Sequence, residues 1–135
     1  MKSPPNFNVS IRNGVIFVRL RGDWDVTTDF QYLSALSSAM QSMRGNPWAI
    51  IVDMRGWHLS RQFIQNTQKA DIDLDRRNQK AECWLVDHPN QAEHLIHHMA
   101  NANLPFLRTT SVEKAVGFLS GHGFVVDNIV HLSHV

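Results

Sequence analysis

The amino-acid sequence predicts an α/β fold: a mixed, mainly parallel sheet of about five strands that opens with a β-hairpin and carries about four helices. Three observations predict it. Short apolar runs of strand length alternate with segments whose apolar residues recur every three or four positions, the order expected of strand–helix–strand crossovers. The two runs nearest the start, "FNVSI" at 7–11 and "VIFVRL" at 15–20, flank Asn13-Gly14, a dipeptide that reaches the positive φ angles of a tight hairpin turn. The runs further along, "WAIIVDM" and "AECWLVD", are apolar without alternation, as central strands covered on both faces are.

The elements follow in order. After the hairpin, Phe30, Leu33, Leu36, Met40 and Met43 fall on one helical stripe, with Thr27 or Thr28 placed to cap its start and Gly45-Asn46-Pro47 to stop it. "WAIIVDM", 48–54, is the next strand. Ser60 then reads as the N-cap of a second helix, whose inner stripe is Phe63, Thr67, Ala70 and Leu74. "AECWLVD", 81–87, is a further strand, and Pro89 suits the first turn of a helix carrying Ala92, Leu95, Ile96 and Met99. "PFLRT", 105–109, reads as a short strand. Thr110 and Glu113 make a T-x-x-E capping box for a last helix with Val112, Ala115, Val116 and Leu119, ended by Gly121 and Gly123. The tail "FVVDNIVHLSHV", 124–135, is apolar enough to pack, an extra edge strand being one form it can take.

Composition narrows the function classes. A chain of 135 residues with 43% hydrophobic content suits one compact domain over 1–135, with its core at about 7–121. Lys plus Arg number 13 against 12 Asp plus Glu, and the net charge of +1 gives no global attraction for nucleic acid or an anionic membrane. The aromatics do not interleave with a basic run, so no nucleic-acid partner is expected. "MKSPPNFNVS" lacks the apolar run of a secretory signal, and no stretch approaches the roughly 18 apolar residues of a membrane span. A cytoplasmic location without membrane insertion is the expectation. Cys83 has no second cysteine to pair with and, inside a strand, reads as a small buried hydrophobe.

Two constellations imitate metal sites. "DIDLDRRNQKAE", 71–82, matches a calcium loop at Asp71, Asp73, Asp75 and Glu82, but Arg76 stands where the sharp turn requires Gly, and a strand follows instead of a helix. In "HLIHH", His94, His97 and His98 fall opposite the apolar stripe of their helix, which predicts solvent-facing imidazoles without the further ligand a built site needs. Neither a metal nor a cofactor is expected. No Gly-rich phosphate loop, G-x-S-x-G elbow or paired-acid motif is present.

"GVIFVRLRGDW" at 14–24, "PWAIIVDMRGW" at 47–57, "AECWLVD" at 81–87 and "FLRTTSVEKAVGFL" at 106–119 together resemble bacterial single-domain proteins of the STAS-like superfamily, named for sulphate transporters and anti-sigma-factor antagonists. The resemblance spans roughly 7–121 and rests on pattern and order. It implies a mixed five-stranded sheet with helices and a regulatory, non-catalytic role in protein interaction or ligand sensing. In the antagonist branch an Asp-Ser pair after the strand matching "AIIVDM" carries a serine phosphorylated by a partner kinase. Here "RGWHLSRQFIQN" has no Asp-Ser, and alignment from Asp53 puts the expected serine near Gln62 or Phe63. Ser60 therefore does not inherit the role by position; a helix start is only electrostatically permissive for a phosphate.

The carboxyl edge of the sheet is the candidate site, because ligands and partners of open α/β sheets meet the strand ends where the loops lie. It gathers Asp53, Arg55, Trp57 and His58 after one strand, Asp87 and His88 after the next, and Arg108 in a third. The expectation is an exposed Trp57 that anchors a protein partner, with Arg55, His58 and Asp87 adding charge and hydrogen-bond complementarity. On that expectation Trp57→Ala weakens binding and leaves the fold intact. The plainer reading packs Trp57 over the second helix and spends Arg55 on neutralising Asp53. A second function is the binding or sensing of a small apolar or anionic ligand, of lipid or nucleotide class, between the sheet and the first two helices. Catalysis requires Asp53, His58, Asp87 and His88 to share one cleft. Homo-oligomerisation stays open.

Overall fold

β1 (Phe7–Arg12) and β2 (Val15–Leu20) pair antiparallel, Phe7 opposite Leu20 and Arg12 opposite Val15, across a turn in which Asn13 and Gly14 take φ of 53° and 77°. The structure, a computed structural model, describes residues 6–67 and 74–126. The remaining elements are β3 (Gly22–Asp23), α1 (Val26–Ser42), β4 (Trp48–Asp53), β5 (Trp57–His58), α2 (Arg61–Thr67), β6 (Gln79–Leu85), α3 (Ile96–Ala102) preceded by a 3-10 turn at Glu93–Leu95, β7 (Phe106–Thr109) and α4 (Val112–Gly121). The main sheet runs β1-β2-β4-β6-β7, antiparallel at the hairpin and parallel at every later pairing. That is the predicted mixed, mainly parallel sheet of five strands with four helices. β3 and β5 form a second, parallel two-stranded pairing that the sequence pattern does not announce.

Every residue of β4 is buried, as a strand covered on both faces must be. Ile50 and Val52 face one core with Ile16, Val18, Leu20 and Trp84, under α1, α2 and α3. Ala49 and Ile51 face the other with Ala81, Cys83, Leu85 and, from α4, Ala115 and Leu119. Phe124 and Val126 close the second core, so the described start of the tail packs as coil; residues 127–135 lie outside the described residues, as do Asp71 and Asp73 of the calcium-like loop and Ala70 of the second helical stripe.

Several predicted ends move. Asp25, not Thr27 or Thr28, caps α1, its Oδ1 accepting from the Thr28 N–H at 2.7 Å. Phe30, expected on the inner stripe, is 75% exposed, and Tyr32 takes the buried place with Leu36, Ala39 and Met40. Ser111 caps α4 by accepting from the Lys114 N–H at 3.1 Å, one residue after the predicted Thr110. Pro89 starts no helix: Ala92 sits in the left-handed region at φ 64°, which α-helical hydrogen bonding does not admit, and α3 starts only at Ile96. No helix among the described residues is long and apolar enough to cross a membrane.

Candidate functional site at the carboxyl edge

The loops after two parallel strands carry the same two residues. Arg21-Gly22 follows β2 and Arg55-Gly56 follows β4, each glycine at positive φ (75° and 74°) and each corner leading to a tryptophan, Trp24 and Trp57. The Gly22 N–H donates to the Gly56 carbonyl at 2.7 Å, and the two indoles meet edge to face with centroids 5.7 Å apart. Trp57 is thus a core residue at 8% exposure, which corrects its expected exposure and removes it as a surface anchor. It leans on Trp24 across the β3–β5 pairing, because the chain turns inward immediately after Gly56.

Asp53, at 2% exposure, is clamped from both corners. Arg21 Nη2 donates to Oδ2 at 2.8 Å, Arg55 Nη2 to Oδ2 at 2.9 Å and Nε to Oδ1 at 3.0 Å, and the Arg55 backbone N–H to Oδ1 at 3.1 Å. Burial alone would raise its pKa, but the hydrogen bonds from Arg55 and Arg21 outweigh it and hold the carboxyl below its ordinary value. The plainer sequence reading of this pair is the observed one, extended by Arg21.

Asp87 is exposed yet engaged: its Oδ2 accepts from the Gly56 N–H at 2.7 Å. Its own N–H donates to Gln91 Oε1 at 2.7 Å, while Gln91 Nε2 donates to the Met54 carbonyl at 2.6 Å. Arg108 donates to the Gln91 carbonyl at 3.0 Å and pairs with Glu93 at 2.8 Å. Gln91 and Arg21 are the residues that sequence reasoning did not single out. The repeated Arg-Gly before Trp was a visible signal for Arg21; nothing in the sequence around Gln91 marked it. Ser60 accepts from the Phe63 N–H at 3.0 Å, the predicted cap of α2.

The convergence that catalysis requires is not found. His58 and His88 are exposed and line one hollow of about 490 Å³ at this edge, whereas Asp53 and Asp87 point into the loop framework and do not line it. Cys83 is buried between the strands; burial, and then the Glu82 charge, push its thiol up to about 12. Among the described residues no cluster of His, Cys, Asp or Glu is arranged to hold a metal ion. Glu82 of the calcium-like loop is instead a buried strand residue, held by Arg76 at 2.7 Å, Gln79 at 2.9 Å and the Trp84 indole at 2.7 Å. Of the histidines of "HLIHH", His97 is exposed as expected, whereas His94 departs from the expectation. His94 is half-buried, and it lines a cavity with His97 and His98 between the helices and the sheet.

No family model matches the chain, and no curated protein matches its sequence. In structure it is similar to the crystal structure of an anti-sigma factor antagonist from Mycobacterium paratuberculosis, with a TM-score of 0.51 over 90% of this chain and 98% of that one, at 16% identity. A likeness at that identity is one of fold, and the shared fold is the STAS-like one that the sequence resembles.

Proposed function

We propose that the chain is a non-catalytic regulatory module that binds a protein partner at the carboxyl edge of its sheet. The observation that carries this reading is an apolar pair at the start of α1: Val26 is 57% exposed and Phe30 75% exposed, one helical turn apart on the same face. A large aromatic left in water beside a second apolar side chain is the kind of surface that a partner covers. α1 begins directly after β3, where Asp23 stands opposite His58, so the pair borders the edge that carries His58, Asp87 and His88. The loops beneath are already cross-linked by Asp53, Asp87 and Gln91, and a pre-ordered surface binds without a large ordering cost.

The fold shared with an anti-sigma factor antagonist supports a regulatory protein as the partner. In this reading Arg55 and Arg108 brace the loops, His58 and His88 supply exposed hydrogen-bonding groups, and Ser60 serves as a helix cap. The test is capture from the native cell extract with the wild-type chain and with Val26→Ser/Phe30→Ser. The double variant keeps its melting temperature and loses capture of a partner seen with the wild type by about tenfold or more, the scale of an interface hot spot. Equal capture by the folded double variant overturns the assignment.

A further inference from the structure

A cavity of about 690 Å³ lies between the sheet and α1, α2 and α3, within the volume range of small-molecule sites. Leu36, Met40, Ile50, Val52, Phe63 and Met99 make most of it apolar. Trp57 and His94 line both this cavity and the smaller hollow at the carboxyl edge, so an indole and an imidazole stand where the two spaces meet. The Trp57 Nε1–H is buried and has no acceptor among the described residues. A buried donor left unpaired is destabilising, and a ligand acceptor atom would satisfy it.

The groups at that junction can receive an anion: an indole N–H donor and an imidazole, with His97 and His98 also on the cavity wall. His94 is held below its ordinary pKa by burial and then by His98 and His97, and a negative group beside it would offset the repulsion from those two imidazoles. Of the carboxylates on the cavity wall, Glu82 is answered by Arg76, Gln79 and Trp84, while Asp29 accepts from the Trp24 indole N–H at 3.2 Å and is pushed above its ordinary pKa by burial. We propose that this cavity binds a single-chain amphiphile with a carboxylate head, its chain against the apolar wall of α1 and β4 and its head between the Trp57 indole N–H and His94. The site is independent of the α1 docking surface.

The test titrates dodecanoate, and in parallel 1-dodecanol, into the full chain at pH 6.5, below the concentration at which either aggregates, with calorimetry and tryptophan fluorescence as readouts. Dodecanoate saturates at one per chain and binds about tenfold or more tighter than dodecanol, the difference that a charge-assisted head contact supplies. His94→Leu, or Trp57→Phe, which keeps an aromatic ring and removes the N–H, weakens dodecanoate about tenfold and leaves dodecanol unchanged; either folded variant suffices. Ala102→Trp, which adds bulk to the cavity wall, abolishes both. Val26→Ser/Phe30→Ser binds dodecanoate as the wild type does, so a failed docking surface and a failed cavity are told apart. No saturable binding, or equal binding of acid and alcohol, or folded His94→Leu and Trp57→Phe chains that bind dodecanoate normally, overturns the proposal.

Discussion

At Asp53 two opposing effects meet in one carboxyl group. Burial favours the neutral acid, and the hydrogen bonds from Arg55 and Arg21 favour the carboxylate, which prevails and sets the folded pKa below the ordinary 3.8. A depressed folded pKa means that the unfolded chain binds the proton more readily. The stabilisation is therefore complete above about pH 5 and is lost as pH falls through the unfolded and then the lowered folded value. Asp53→Asn leaves two arginines facing a neutral amide in a site that is mostly closed to water, and costs about 3 kcal/mol at pH 7. Urea unfolding at pH 7 and at a series of values from pH 5 to 2.5 checks both statements. The variant is less stable at neutral pH and loses less of its stability on acidification; a parallel pair of pH curves would show that the clamp carries no net energy.

Among the elements, the strands of the main sheet were legible because their burial is written in composition, whereas β3 and β5, two residues each, were not. β4 is buried along its whole length and β6 at every residue but Lys80, and a run such as "AIIV" has no exposed register to adopt. Helix starts were less legible because a cap is decided by a single side chain, and Asp25, Thr27 and Thr28 all offer an oxygen of the right kind. The start of α3 could not be read at all. Its helical spacing extends back to Ala92, yet the bonds of Gln91 to the Asp87 N–H and the Met54 carbonyl hold the preceding loop against β4. Those long-range bonds override local propensity, and they predict what removing them does. Gln91→Ala leaves the Asp87 N–H and Met54 carbonyl without these partners and costs about 1–3 kcal/mol. In amide hydrogen exchange, the Asp87 and Gly56 N–H groups lose protection while those of β2 do not. Unchanged exchange at both amides would refute the role given to Gln91.

Across the whole molecule, the sheet separates two cores, and the carboxyl edge is where the first core comes closest to the candidate surface. Trp57 belongs to that core, packed on Trp24, while Phe30 on the next element stands in water. Residue type alone reverses these two, since an Arg-Gly-Trp corner looks exposed and a Phe at helical spacing looks buried. Position in the fold settles the matter, and stability measures it. Trp57→Ala removes an indole at 8% exposure and opens space that the rigid sheet cannot collapse to fill. The expected loss is about 3–5 kcal/mol, a large share of the roughly 5–15 kcal/mol that holds a domain together. Phe30→Ser, at an exposed site, changes stability by about 0.5 kcal/mol or less. Urea denaturation of the two variants beside the wild type distinguishes them: the midpoint falls steeply for Trp57→Ala and barely moves for Phe30→Ser. The opposite order would return Trp57 to the surface, and with it the possibility of testing partner binding by Trp57→Ala. With the order stated here, loss of binding by Trp57→Ala reports loss of the fold, and only substitutions such as Phe30→Ser interrogate the edge itself.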